Sequence, residues 1–468
     1  MFYNCFRIDT LHMHFQEITQ TQQAYFRSQR TKSTTERKAL LQQFKKMLVE
    51  NEQQLYKAVH ADFGKSEHEA FLTEVAILIK DIEEAQRSLV KWTQAQRVPT
   101  NLVNLPGRSF IVPEPLGICL VIGAWNYPIQ LSLAPAIAAL AAGNTVILKP
   151  SELAANCAQC MADLVAQYFD PAVFTVVQGG VEETQALLAE RFDKIFFTGS
   201  PAVGRVVYQA AAKHLTPVTL ELGGKSPAII TQSANLQIAV KRLVWAKFLN
   251  AGQTCIAPDY VFVHASVYDT CLELFKSQIA ANDYRLDAHN YVKIINERHL
   301  ARLKNLIDQD KIALGGQIDA LNRVIAPTLL KDVQLTDAIM QEEIFGPLLP
   351  LIKYQDFEEV LQYIENNEKP LSAYLFSNDP TEQKKWEQRL SFGGGCINDA
   401  IMHITNPNLP FGGVGQSGTG SYHGKAGFDT FSHFKSVFKK PTVFEVPLKY
   451  PPYTSSKMAW IKRLLRFS

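Results

Sequence analysis

A cysteine at position 255 sits in the stretch NAGQTCIAPDY, among small and polar residues, with Gly252 three positions before it. Free cysteines usually lie in apolar packing. A thiol in this company has two readings: an idle small side chain, or a thiolate exposed for nucleophilic attack. Two other segments hold groups that such a nucleophile would use. Glu221, in TLELGGKSP, closes an apolar run just before two glycines. A carboxyl among apolar neighbours titrates high and can act as a general base near neutral pH, or it can be structural. Asn126, in GAWNYP, carries an amide able to donate to a developing oxyanion. Pro128 beside it suits the first turn of a following helix.

Two segments have the form of nucleotide contacts. IFFTGSPAVGRV reads strand, turn, helix, with Gly199, Ser200 and Gly204 in the turn and first helical residues. The spacing is G-x-x-x-x-G, but Arg205 and Val206 stand where a P-loop has Lys and Ser/Thr, and no G-x-G-x-x-G follows the first strand. The turn either meets phosphate with backbone N–H groups and the helix dipole, or simply starts a helix packed closely on a strand. In ILKPSE, Lys149 and Glu152 follow an apolar run directly. At the C-terminal edge of a parallel sheet they could bind ribose hydroxyls, and the carboxylate would repel a 2′-phosphate, favouring NAD over NADP. A solvated ion pair is the competing reading.

These residues need a scaffold, and the chain supplies alternating elements. Its 468 residues, 47% hydrophobic and 20% charged, bound an ordinary globular protein of several domains. Helical spacing marks the first ~95 residues. Prolines 99, 106, 113 and 115 then break helix in a segment suited to a hairpin or connector. From Gly117, short apolar runs alternate with helical ones: ICLVIGA, NTVILKP, VFTVVQGG, KIFFTG and TPVTLELGG, then AIITQ, YVFVHASV, PLLPLIKYQ and LSAYLFS. This is an α/β pattern with parallel sheets covered on both faces. A net charge of +2 calls for no nucleic acid. Seven cysteines in so long a chain read as free thiols of a reducing, cytoplasmic compartment. The first residues lack the apolar core of a signal peptide and read as a loose tail to about residue 14, with Met13 as an alternative start. No run of about 18 apolar residues is present.

Taken together, GAWNYP, ILKPSE, FFTGSPAVG, LELGGKSP, NAGQTC, QEEIFGP and LPFGGVGQSG, in this order from about 115 to 430, resemble the aldehyde dehydrogenases. APDY after the cysteine and SYHGKAGFDTFSH near the end are similar to the dimeric class 3 branch, which holds fatty and aromatic aldehyde dehydrogenases. The resemblance implies an aldehyde dehydrogenase-like fold. A Rossmann-type cofactor domain would span 1–97 and 113–223, and an α/β catalytic domain 224–423. Residues 98–112 and 424–450 would be oligomerisation segments, and 451–468 a tail. It implies Cys255 as nucleophile, Asn126 and the Cys255 N–H as oxyanion donors, and Glu221 as the base that activates water. Lys149 and Glu152 would meet the adenosine ribose, Gly199, Ser200 and Gly204 the pyrophosphate, and Glu343 the nicotinamide ribose, with Phe345 packing nearby. The implied cofactor is NAD, with NADP as a second option. The implied partners are an apolar aldehyde and a second copy of the chain in a homodimer. A CoA-acylating relative would share the cysteine but resolve the thioester with CoA; the intact Glu221 favours water.

The remaining candidates have plain readings. Cys157 and Cys160 form a C-x-x-C inside a helical segment with no second pair for zinc. Cys396 and His423 read as structural. A papain-like protease would need its own signature around the cysteine, which GQTCIAP lacks. In SSKMAWIKRLLRFS, Met458, Ile461, Leu464 and Leu465 could share one helical face with Lys457, Lys462, Arg463 and Arg466 supplying charge, which reads as a helix lying on an anionic membrane surface, a solvated tail, or a helix packed on the partner subunit.

Overall fold

The computed structural model describes residues 2–443 and 445–465, with side chains from residue 13 onward. It is built on two parallel sheets. The first has six strands in the order Gly418–Thr419, Val218–Glu221, Lys194–Thr198, Ile118–Ile122, Thr145–Lys149, Phe174–Val176. All neighbours are parallel except the first pair, where Gly418 opposes Glu221. The strands Ile118–Ile122, Thr145–Lys149 and Lys194–Thr198 are buried along their whole length, as expected of strands covered by helices on both faces. The second sheet has seven strands in the order Ile312–Leu314, Thr328–Leu330, Leu348–Tyr354, Tyr260–His264, Pro227–Ile230, Ser372–Phe376, Gly394–Ile397. A third, antiparallel sheet joins Gln96–Val98 and Arg108–Pro115 to Ser432–Lys439 near the chain's end.

The N-terminal residues differ from the sequence expectation. The stretch read as a loose tail belongs to a helix, Phe2–Arg27. No proline or glycine interrupts it, and Phe15 is buried against the first sheet while the Gln22 amide donates to the Val146 carbonyl at 2.9 Å. The next helices, Thr34–Glu50 and Glu52–Phe63, bury Leu41, Phe44, Leu48, Leu55 and Val59 on one stripe. Ser33 caps the first of them by accepting the Glu36 N–H.

One crossing of the chain positions the chemistry. Val218–Glu221 ends at the C-terminal edge of the first sheet, and Pro227–Ile230 begins the second. The glycines between them carry the backbone from one edge to the other. Cys255 precedes Tyr260–His264, and Glu343 precedes Leu348–Tyr354. The C-terminal edge of one sheet therefore faces the N-terminal edge of the other.

Candidate active site

A cavity of ≈ 710 Å³ opens between these edges. Asn126, Gly199, Ser200, Glu221, Cys255, Glu343 and Phe345 all line it. Gly204 lies beneath, buried in the helix Pro201–Ala212; a side chain there would come within 2.8 Å of the Leu222 Cδ2. Lys149 and Glu152 are not among the lining residues. They sit at the same sheet edge, two strands from Gly199, with the buried Lys149 Nζ 3.1 Å from Glu152 Oε2 and 2.9 Å from the Pro150 carbonyl.

The cysteine is held by an unusual turn. The helix Leu236–Phe248 ends and Asn250, Ala251 and Gly252 follow with φ of 53°, 52° and 72°. Three consecutive left-handed residues, two of them not glycine, store strain that the surroundings must hold. At Gly252 a Cβ would land on the Gly346 carbonyl, so only glycine fits. A further turn, closed by the Ala257 N–H on the Thr254 carbonyl at 3.0 Å, presents Cys255 half-buried at the cavity wall. Burial, then the Glu343 and Glu221 carboxylates, push its thiol well above the ordinary value, while the Cys255 and Ile256 N–H groups act the other way.

Those carboxyls are themselves shifted. Glu221 is 2% exposed, and neither of its oxygens has a hydrogen-bond partner among the described residues. Burial alone raises its pKa well above the usual range. Burial, with the nearby Asp259, pushes Glu343 up to about 8 against the pull of the Gly224 N–H and of Lys225 and Arg302. Burial thus disfavours the charged form of both carboxyls. Asn126 is buried, and its Nδ2 donates to the Gln253 carbonyl at 3.1 Å, which aims the amide along the wall towards the cysteine turn.

Several residues escaped sequence reasoning. Lys225 Nζ reaches Asp259 Oδ2 at 2.6 Å and the carbonyls of Ile339 and Glu342 at 2.8 and 2.9 Å. Asp259 Oδ1 accepts the Ile344 N–H at 3.0 Å. Arg302 donates to the carbonyls of Glu343 and Ile344. This clamp fixes the loop that carries Glu343 and Phe345. The Phe345 ring meets Trp125 edge-on with centroids 5.3 Å apart. The signal for Lys225 and Asp259 was present as charges flanking LGGKSP and CIAPDY, but their meeting depends on the fold. Conversely, His423, read as a satisfied structural histidine, is buried with Nε2 unpartnered among the described residues and a φ of 77°. The cysteine pair of the C-x-x-C lies buried in the helix Ala155–Tyr168. No group of three or more metal-ligating side chains occurs among the described residues.

Known proteins are similar to this chain in sequence and fold. The sequence profile of the aldehyde dehydrogenase family matches residues 11–437. A 4,4'-diaponeurosporen-aldehyde dehydrogenase of Staphylococcus aureus is 46% identical over 448 residues, covering 95% of this chain and 97% of that protein. The dimeric NADP-preferring aldehyde dehydrogenase of Rattus norvegicus is 46% identical over 432 residues, covering 91% and 95%. The solved structure of Staphylococcus aureus AldH in its substrate-bound state superposes with a TM-score of 0.94 at 44% identity, covering 96% of this chain and 99% of that one. With the profile spanning nearly the whole chain and relatives this similar, the protein belongs to the aldehyde dehydrogenase family and is an NAD(P)-dependent aldehyde dehydrogenase.

Proposed function

We propose that Cys255, Asn126 and Glu221 carry the oxidation of apolar aldehydes to carboxylic acids. The observation that supports this most is the convergence of the three side chains on one cavity from three separate segments. The Cys255 thiolate attacks the aldehyde carbonyl. The Asn126 amide and the Cys255 N–H receive the oxyanion. A bound nicotinamide dinucleotide supplies the hydride acceptor and, when oxidised, a positive charge. Glu221 then takes a proton from water as it attacks the thioester on Cys255, and the acid leaves. No group among the described residues occupies the Glu221 oxygens, which leaves them open to water.

The cavity fits the dinucleotide. A Cβ at Gly223 would collide with the Glu343 carboxyl, so the two glycines form a cradle under an acid suited to ribose hydroxyls. The helix Pro201–Ala212, capped by Ser200, opens its N-terminus at the cavity wall, as phosphate binding requires. Lys149 and Glu152 are assigned to the adenosine ribose, which favours NAD with NADP accepted.

The substrate class rests on the relatives, one of which acts on a diaponeurosporen aldehyde by name. NADH or NADPH absorbance across benzaldehyde and straight-chain aldehydes tests it. Rising kcat/KM with chain length is expected, and Cys255→Ala should abolish turnover while the fold and dinucleotide binding survive. Retained turnover in that variant would sink the assignment.

The chain pairs as a homodimer in the cytoplasm; the pairing is supported by the dimeric relative and by exposed apolar Leu102 and Val103, in the turn between Gln96–Val98 and Arg108–Pro115, and Phe438 on the antiparallel sheet. No helix among the described residues is long and apolar enough to cross a membrane. The tail helix Ser455–Leu465 instead leaves Met458, Trp460, Ile461, Leu464 and Leu465 exposed beside Lys457, Lys462 and Arg463. This supports peripheral contact with an anionic membrane surface; Arg466 lies outside the described residues.

A further inference from the structure

The mechanism above needs the Asn126 amide and the Cys255 N–H to converge on one oxygen, yet they lie on segments far apart in the chain. A third segment ties them together. The helices Glu67–Ala70 and Ala76–Thr93 are joined without a break by a π-turn, Phe71–Val75, closed by the Ala76 N–H on the Phe71 carbonyl. In an α-helix, residues five apart point about 140° away from each other. The wider π-turn swings Glu69 and Glu74 towards one face, and π-turns of this kind recur at functional sites.

Each carboxylate holds one half of the site. Glu74 Oε2 accepts the N–H groups of Ile129 and Gln130 at 3.1 and 3.0 Å, at the start of the helix that follows Asn126. Glu69 Oε1 accepts the Asn250 N–H at 3.0 Å, in the strained turn before Cys255. Asn250 Nδ2 in turn donates to the carbonyls of Asn126 and Gln253 at 2.8 and 3.0 Å. Lys65, with no exposed side-chain surface, lies 3.0 Å from Glu74 Oε1 and 4.4 Å from the centroid of the Tyr127 ring. The Tyr127 hydroxyl is 2.6 Å from Thr254 Oγ1, next to the cysteine.

Burying a lysine and a glutamate to stabilise a fold is inefficient. The desolvation of both ions offsets most of their attraction, and apolar packing would serve as well. The best-attested use of such a pair is to enforce register. We propose that Lys65, Glu69 and Glu74 are positioning residues that lock the Asn126 turn against the Cys255 loop so that the two oxyanion donors converge. This rests on the mechanism proposed above.

Two reactions of Cys255 in the full-length protein, without dinucleotide, test it. With p-nitrophenyl acetate, the sulfur forms a bond to the acyl carbon, the ester C–O bond breaks, and nitrophenolate leaves with the electron pair while the thiol proton passes to solvent. That route runs through an oxyanion. Iodoacetamide alkylates the same sulfur at a saturated carbon and needs none. Glu74→Gln and Lys65→Met should slow acylation about tenfold or more, as small misplacements of catalytic donors do, while alkylation stays within about twofold because no oxyanion is involved. The double variant should cost no more than the worse single one, the mark of a shared path. Should Glu74→Gln fail to fold, Glu69→Met, which removes the acceptor of the Asn250 N–H, must show the same split. Folded variants that acylate at the wild-type rate, or that lose both reactions equally, would overturn the inference. Acylation that persists in Cys255→Ala, or is missing from the wild type, would overturn the mechanism itself and the inference with it.

Discussion

Glu221 and Glu343 face the same cavity, and burial raises the pKa of both, but the consequences differ. Glu221 has no hydrogen-bond partner among the described residues. Its raised pKa means that thioester hydrolysis should quicken as pH climbs through a value well above 4.5. Glu221→Gln should flatten that profile and give a burst of NADH followed by a slow steady state; unchanged turnover would remove Glu221 from the reaction. Glu343 bears on stability. Its folded-state pKa of about 8 exceeds the ordinary 4.5. Between those values the folded protein keeps a proton that the unfolded chain has released, so stability is fully present below about 4.5 and falls as pH rises towards 8. Melting temperatures of wild type and Glu343→Gln measured across this window should diverge, with the variant the flatter; parallel curves would contradict the assignment.

At the scale of elements, the turn after Leu236–Phe248 is the weakest point to alter. Gly252→Ala would force a side chain into φ 72° and onto the Gly346 carbonyl. The expected loss is about 2–4 kcal/mol from left-handed strain and overpacking, read by denaturant unfolding; a loss under about 1 kcal/mol, the effect of an ordinary surface change, would refute this account of the turn. The strands and their helices were legible in the sequence because both sheets are buried on both faces and write themselves as apolar runs. Asn126, Glu221 and Cys255 were legible because each sits where such a run or helix gives way to a turn. What stayed hidden was recognition across the chain. Nothing in EAFLTEV announces that Glu74 reaches Ile129, since a π-turn leaves no periodic mark. Lys225 and Asp259 drew no reading from the sequence, and only the fold brings them to 2.6 Å. The start of the N-terminal helix was read as a tail because the helix's anchors, Phe15 and Gln22, find their partners more than 100 residues away.

Across the whole molecule, the tail helix is the part most separable from catalysis. A protein ending at residue 450 should keep its turnover with a short soluble aldehyde and lose its co-sedimentation with anionic vesicles; equal pelleting of the two proteins would reject the membrane reading. Removal cannot extend much further back along the chain, and the reason lies in the first and the antiparallel sheets. The strand that ends in Glu221 pairs on one side with Lys194–Thr198 and on the other with Gly418–Thr419, and Arg108–Pro115 waits for Ser432–Lys439. A chain still emerging from the ribosome already contains Cys255 and Glu221, but the first sheet stays open beside Glu221, and the antiparallel sheet beside Arg108–Pro115, until residues beyond 418 and 432 exist. Synthesis therefore withholds the finished site almost to the last stretch of chain, and a product that stops short of it carries the reactive groups without the frame that sets them to work.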